Sequence, residues 1–461
     1  MPSTPRPPLP GGPYLVAGLA RSGVAAALAL RARGEEVIGV DAGAPGAGRL
    51  ADAGVEVHVD ETGEQLVARA RTLVKSPGVP QEAPVVAAAR AAGLAVVGEL
   101  ELAWRLLPNR LIAVTGTNGK TTTTELIGHV HREAGLPVAV AGNVGTALAS
   151  LVGEIDPRAT IVCECSSFQL EDTEAFAPDA AVLLNLEPDH LDRHGTFAAY
   201  RAAKLQAFAR QDADAVAVAP AELAGGLPGA ARRVTFGPAA GGGPAAGGGA
   251  GTDAAGAAPP DVALGEDGVI RWRGEPLLAA GELRIPGLHN ASNAMAAAAV
   301  TLARGIDPDA VREGLRTFRG VAHRLELVAE RDGVAYVNDS KATNVASTLV
   351  ALRSHPPGSV HLIAGGRTKG QDFAPLAPVV AQRCASVALI GEGAGELAGA
   401  LAGAGVPLHD AGDLERAVAA ARAVARPGET VLLSPACASF DQFADFEARG
   451  ERFRVLVTEG G

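Results

Sequence analysis

At 461 residues the chain has room for roughly three domains of ~150 residues each, and its 48% hydrophobic content suffices for packed cores. Lys and Arg number 40 against 51 Asp and Glu, a formal charge of −11, which argues against nucleic acid as the main partner and requires any phosphate ligand to be held by local groups. No C-x-x-C pair occurs among the four cysteines (Cys163, Cys165, Cys384, Cys437), and neither an apolar leader nor a run of ~18 apolar residues appears, so a reduced, cytoplasmic protein without membrane insertion is expected.

In chain order, a short apolar strand at Tyr14–Gly18 leads into Gly18-Leu19-Ala20-Arg21-Ser22-Gly23 and an Ala/Leu-rich helix. A second strand, Glu36–Val40, ends at Asp41. This cadence belongs to a dinucleotide fold with an acid placed to accept from a ribose or base. Ala20 stands where that fingerprint wants its middle Gly, the one that lets pyrophosphate approach closely, so the motif alone leaves the ligand open. Further βα units follow at Thr72–Val74 and Ala95–Val97, and a domain boundary is expected near Gly98.

Leu111 to Thr124 reads L-I-A-V-T-G-T-N-G-K-T-T-T-T, an apolar strand, a Gly-containing turn and then helix-like spacing over Thr123–His131. Backbone N–H groups of such a loop converge on one anion, Lys120 adds a point charge, and Thr121 offers a hydroxyl to the Mg²⁺ that travels with a nucleoside triphosphate. Val114 replaces the first Gly of the full phosphate-loop pattern, so the match is to its second half.

Pro137–Ala141 is expected as a strand ending in Gly142-Asn143-Val144-Gly145. Thr160–Cys163 delivers Glu164, either an Mg²⁺ ligand or a helix N-cap acid. Ala181–Leu186 runs into Glu187-Pro188-Asp189-His190-Leu191-Asp192-Arg193-His194, where His190 is a candidate metal or phosphate ligand against a structural role. Lys204, on the next helix, is by default a solvated lysine.

Residues 238–260, almost all Gly, Ala and Pro, cannot offset the entropy of ordering and predict a flexible surface insertion. Shortening 240–258 is therefore expected to leave activity and melting temperature unchanged, because loop-closure entropy varies slowly with length; steady-state rates and a thermal melt check this. Short strands are expected at Val269–Arg273 and Glu282–Ile285, and a polar cap at His289–Asn293 precedes an Ala-rich helix. From Gly320 onward, strands at Val334–Val337, His361–Ala364, Val387–Ile390 and Thr430–Leu433 end in polar tips, which describes a further open α/β sheet with a binding face.

Jointly these motifs resemble the Mur ligase family of cell-wall synthesis over nearly the whole chain outside the insertion. The likeness rests on T-G-T-N-G-K-T-T at Thr115, E-C-S-S-F-Q-L at Glu164, E-P-D-H-L-D-R-H at Glu187, Y-R-A-A-K at Tyr200, H-N-x-x-N-A at His289, H-R at His323, N-D-S-K-A-T-N at Asn338 and S-P-A-C-A-S-F-D-Q-F at Ser434. The last two, with the Gly365–Phe373 turn, are similar to the D-glutamate-adding branch. A folylpolyglutamate synthetase-like ligase shares the central chemistry but generally lacks a separate domain such as residues 1–98.

The resemblance implies an α/β chain of three domains: a UDP-sugar-binding Rossmann-like domain at 1–98, a P-loop ATPase-like domain at 99–320, and a Rossmann-like amino-acid-binding domain at 321–461. It implies ATP with two Mg²⁺ ions, and UDP-N-acetylmuramoyl-L-alanine and D-glutamate as substrates of a monomer. ATP falls to Gly116, Thr117, Asn118, Gly119, Lys120, Thr121 and Thr122, with Asn293 at adenine, Asp339 at ribose and Arg324 at phosphates. Metal falls to Thr121, Glu164, His190 and Lys204, the last as an N-carboxylated lysine. The catalytic set is Lys120, Glu164, His190, Lys204 and Arg324. Arg21, Ser22, Asp41, Gly78, Asn143 and His190 match the UDP-substrate site, although Ala42 and Gly43 lack the polar side chains that often hold uridine. Thr343, Lys369, Ser439, Phe440 and Phe446 match the D-glutamate pocket.

Overall fold

The structure is a computed structural model that describes residues 6–43, 46–239, 259–285, 287–368 and 370–459. Lys369 and nearly all of the expected insertion lie outside the described residues. The chain divides into two compact units, Met1–Phe318 and Arg319–Gly461.

The first unit holds two sheets. A five-stranded parallel sheet has the spatial order Glu56–Val59, Val37–Asp41, Tyr14–Ala17, Thr72–Lys75, Ala95–Gly98. The order reverses between Tyr14–Ala17 and Thr72–Lys75, and ligands of open α/β sheets bind at the carboxyl ends of strands beside such a reversal. Leu15, Val16, Leu73 and Val74 are fully buried, the near-continuous apolar reading of strands covered on both faces.

The second sheet has nine strands. Its parallel part runs Val262–Leu264, Arg232–Pro238, Val216–Pro220, Ala180–Leu183, Leu111–Thr115, Thr160–Glu164, Val138–Gly142, and the hairpin Val269–Trp272 and Glu275–Ala279 adds to it antiparallel. The expected strand at Glu282–Ile285 is not formed. The second hairpin strand is instead Glu275–Ala279, after which the chain enters a 3₁₀ turn at Ala280–Glu282. The reason is the Arg273-Gly274 turn, with both residues at positive φ, which folds the chain back onto the preceding strand.

One apolar cluster runs through both sheets of this unit, from Tyr14, Leu30 and Val74 through Trp104 and Leu148 to Phe176 and Phe208. The helix Glu99–Leu106 sits in its middle. Its Glu101 carboxylate accepts from the N–H groups of Glu174, Ala175 and Phe176 and from Arg105. Glu99, also buried, accepts from Ala149 N–H at 2.8 Å. Burial pushes the Glu99 carboxyl up to about 7, more strongly than the Ala149 N–H and the Gln169 side chain hold it down. A carboxyl raised in the folded state is protonated there while the unfolded chain is ionised, so the fold loses stability as pH rises from about 4.5 to about 7. Glu99→Gln is therefore expected to flatten that fall, as read from urea midpoints at pH 5 and pH 8.

The second unit carries six strands in the order Glu326–Arg331, Val334–Asn338, Thr430–Leu433, Val360–Gly365, Cys384–Ile390, Leu408–Gly412. The first pair is antiparallel and the rest parallel. Apolar clusters cover both faces, one around Leu362, Leu376 and Leu397 and the other around Ile363, Val418 and Phe453. No helix among the described residues is long and apolar enough to cross a membrane.

Candidate active site

The strand Leu111–Thr115 ends in Gly116-Thr117-Asn118-Gly119, and the helix Lys120–Glu133 begins at once. Gly119 adopts φ +81°, and a Cβ there would stand 2.3 Å from Oδ1 of Asn293. Only Gly fits that backbone and that approach, so the phosphate loop and Asn293, at the start of the helix Leu288–Ala303, come together. The loop is also fastened to the Ala180–Leu183 strand tip. Asn185 accepts from Thr117 N–H through its carbonyl at 3.1 Å, and its side chain takes Asn118 N–H at 2.8 Å while donating to the Asn118 carbonyl at 3.2 Å. Sequence reasoning missed this residue, which had no signal apart from its place at a strand end.

Lys120 folds back to donate to the Gly116 and Thr117 carbonyls at 3.0 and 2.9 Å. Lys204 reaches the same Gly116 carbonyl at 2.8 Å from the helix Phe197–Ala209. Its expected default as a solvated lysine is overturned, since the residue is 2% exposed and its ammonium lies 4.6 Å over the Tyr200 ring. Burial, then the Lys120 charge, push the Lys204 amine down to about 7, against Asp189, Cys165 and Glu164. Tyr200 meets the Thr117 hydroxyl at 3.0 Å.

Glu164 closes its strand at 3% exposure. The N-cap alternative fails: the helix Ser167–Leu170 is capped by Ser166, which accepts from Gln169 N–H and donates its own N–H to the Gln169 side chain. Glu164 Oε1 accepts from Asn143 at 3.0 Å, whereas Oε2 is buried with no hydrogen-bond partner among the described residues. An orphaned buried carboxylate oxygen costs ~1–3 kcal/mol or more and fits a hard cation at that point. Thr121 is buried close to the loop. Among the described residues no three His, Cys, Asp or Glu gather into a cation cage.

His190 heads the short helix Leu191–His194 at φ +51°. Its side chain is 49% exposed beside Asp189, and its ring lies 4.9 Å from Phe168. His194 is the more enclosed of the two, stacked 5.4 Å from Phe168 and bonded to Ser167 at 3.0 Å.

Arg21 opens the helix Arg21–Ala32 and donates to the Gly145 carbonyl at 2.6 Å, which brings Arg21 and Ser22 to the turn that carries Asn143. Asp41, expected to accept from a ribose or base, also accepts from its own turn. Its two oxygens take the N–H groups of Leu19 and Gly43 at 2.5 and 2.8 Å, fixing the Gly18–Gly23 turn and leaving its remaining lone pairs for a ligand. Gly78 sits in an open turn after the strand Thr72–Lys75.

In the second unit Asp339 is buried and accepts from the Ser434 hydroxyl at 2.8 Å and Leu325 N–H at 3.2 Å. Burial pushes its carboxyl up to about 7 against Ser434, Leu325, Arg324 and Lys341. Arg324 lies in the Val321–Arg324 bridge that precedes the Glu326–Arg331 strand. Thr343, Ser439, Phe440 and Phe446 gather at one end of this sheet, Ser439 buried and Phe440 61% exposed. What holds these tips is Arg449, which sequence reasoning also missed. Its buried guanidinium donates to the Ser340 hydroxyl and to the carbonyls of Ser340, Gly365, Cys437 and Ala438.

A glycine-bearing loop at one strand end, a buried acid with an open oxygen at the end of the neighbouring strand and a buried lysine that reaches the loop from a helix define an α/β protein with a P-loop-type site. Three family matches divide the chain: the Mur ligase MurD-like N-terminal domain at residues 13–98, the Mur ligase middle domain at 114–238, and the Mur ligase glutamate ligase domain at 323–437. The chain belongs to the Mur ligase family. It is 41% identical over 460 residues to the UDP-N-acetylmuramoylalanine–D-glutamate ligase of Acidobacterium capsulatum, covering 97% of this chain and 96% of that one. To the ligase of the same name from Burkholderia pseudomallei strain 668 it is 45% identical over 429 residues, covering 83% and 82%. Among solved structures, the UDP-N-acetylmuramate-alanine ligase MurC of Thermotoga maritima shares the fold at a TM-score of 0.56 and 19% identity, over 97% of this chain and 99% of that one.

Proposed function

We propose that this chain is an ATP-dependent ligase that joins D-glutamate to UDP-N-acetylmuramoyl-L-alanine in peptidoglycan precursor synthesis, working as a cytoplasmic monomer on small-molecule substrates. The observation that carries the reading is the 41% identity over nearly the full length to a relative named for that reaction. In this reading the domains are 1–98 for the UDP-sugar, 99–320 for ATP and 321–461 for the amino acid.

A carboxylate and an amine do not condense unaided in water. ATP converts the L-alanyl carboxylate into an acyl phosphate; the D-glutamate amine then attacks and phosphate leaves. Charge builds on the transferring phosphoryl oxygens, and preorganised cations and N–H groups are the means to stabilise it. The loop N–H groups from Gly116 to Thr122 orient the phosphates. Lys120 turns from the loop carbonyls to the β/γ-phosphates, Asn293 faces adenine, Asp339 the ribose and Arg324 the phosphates. Mg²⁺, when bound, neutralises the phosphate charge. Glu164, Thr121 and His190 are the residues to hold it, with a carbamate on Lys204 supporting a second ion. The neutral amine favoured by burial is the form that adds to carbon dioxide. Arg21, Ser22, Asp41, Gly78, Asn143 and His190 position the UDP-substrate, and Thr343, Lys369, Ser439, Phe440 and Phe446 the D-glutamate.

The test is ATP-dependent phosphate release by the purified chain with UDP-N-acetylmuramoyl-L-alanine. Turnover is expected with D-glutamate and little with L-glutamate. Equal rates with both, or none with either, would overturn the reading.

A further inference from the structure

Between the turn that carries Gly78 and the arm that carries His190 lies a set of contacts that the reaction as described does not use. Arg193, three residues beyond His190, sends one nitrogen, Nη2, to the Val79 carbonyl at 3.2 Å, the Pro77 carbonyl at 3.4 Å and Glu171 Oε1 at 2.8 Å. Its guanidinium lies 4.6 Å over the Phe168 ring, the ring against which His190 and His194 also pack. The same turn is held from below: Lys75, fully buried, pairs with Asp172 at 2.7 Å, and Gln81 donates to the other Asp172 oxygen at 2.7 Å. Glu171 and Asp172 follow directly on the Ser167–Leu170 helix, which starts three residues after Glu164.

Such an arrangement does more than fill space. Backbone carbonyls of a turn can be satisfied by water, and a surface arginine is ordinarily free to follow them. Here a flat guanidinium is fixed on one side by a carboxylate and on its face by an aromatic ring, a geometry that a lysine cannot reproduce.

We propose that Arg193 is a positioning residue that couples occupation of the UDP-substrate turn at Pro77–Val79 to the placement of the His190 arm, with Glu171 as its anchor. The inference rests on the ligase reading for the identity of the substrate. Filling the turn sets the carbonyls, the carbonyls set Arg193, and Arg193 sets the arm on which His190 stands, so the metal-side groups are ordered by the nucleotide-sugar before chemistry.

The test compares Arg193→Gln, Arg193→Lys and Glu171→Gln with the unaltered chain. Kcat/KM for UDP-N-acetylmuramoyl-L-alanine is expected to fall ~10- to 100-fold in both Arg193 variants, the range for losing a charge-assisted set, while KM for ATP stays within ~3-fold. The effect of Glu171→Gln is expected to be largely absorbed in the double variant with Arg193→Gln. Independently of turnover, UDP-N-acetylmuramoyl-L-alanine alone should slow amide exchange across residues 190–195 in the unaltered chain and not in Arg193→Gln. Full activity of Arg193→Lys, equal losses for ATP and the UDP-substrate, additive single effects, or identical exchange protection in both chains would each overturn the coupling. If the unaltered chain turns over and Arg193→Gln matches it, only this inference falls; if the unaltered chain does not turn over, the ligase reading falls instead.

Discussion

Lys120→Ala is expected to abolish measurable phosphate release, with a loss of on the order of 10²-fold or more, while the melting temperature stays near that of the unaltered chain. Lys120 Nζ donates to the Gly116 and Thr117 carbonyls. These two carbonyls belong to its own loop. The loop keeps its other fastenings, the Asn185 pairing and the approach of Asn293 to Gly119. In the proposed reaction what is lost is the cation that meets charge developing on the phosphoryl group, the kind of stabiliser whose removal costs about 10²–10³ in rate. A purified, folded variant with near-normal turnover would remove the ATP assignment of this loop.

Lys204→Ala is expected to be inactive, with partial recovery in acetate or formate. The residue is buried, its amine is pushed down to about 7, and it donates to the Gly116 carbonyl of the phosphate loop within the electrostatic reach of Glu164. An ammonium there opposes a divalent cation, whereas a carbamate offers the anionic oxygens Mg²⁺ prefers. Small carboxylates can fill the space vacated by the side chain and supply the same oxygens. Lys204→Arg keeps the positive charge and is expected to stay inactive. Because the folded amine is protonated below about 7 and free above it, the carbamate share rises as pH passes upward through that value at fixed dissolved carbon dioxide. A ¹³C-bicarbonate NMR titration near neutral pH reads it; no labelled carbamate together with an active Arg variant would return Lys204 to contacting phosphate or loop carbonyl alone.

Strand ends were the legible part of this sequence. The β-branched run before Gly116 and the polar tips at Asn338, Gly365 and Ser434 announce parallel strands and their functional edge, because a buried strand must be apolar and its exit need not be. Short edge pieces are less legible: the sequence places the second hairpin strand to start at Glu282, seven residues beyond its start at Glu275, since its apolar letters are few and the deciding feature is a positive-φ turn at Arg273-Gly274. Burial of charge was not legible at all. Lys204, Glu99 and Arg449 look like surface letters on helices, and only the packed structure shows that each faces inward, toward a carbonyl or N–H supplied by a distant segment. Asn185 escaped for a related reason, because its worth lies in matching backbone groups of Thr117 and Asn118, the latter 67 residues away in sequence.

The apolar cluster shared by the two sheets of the first unit has an evolutionary reading. A nucleotide-sugar module that could be exchanged would need its own closed core and a polar seam. Here Leu100, Trp104 and Leu148 sit in one cluster with Leu30 and Val74 on one side and Phe176 on the other, so the seam is itself interior. Recombination that swapped the first hundred residues for those of a distant relative would inherit a mismatched half-core, at the cost in packing that such a mismatch carries.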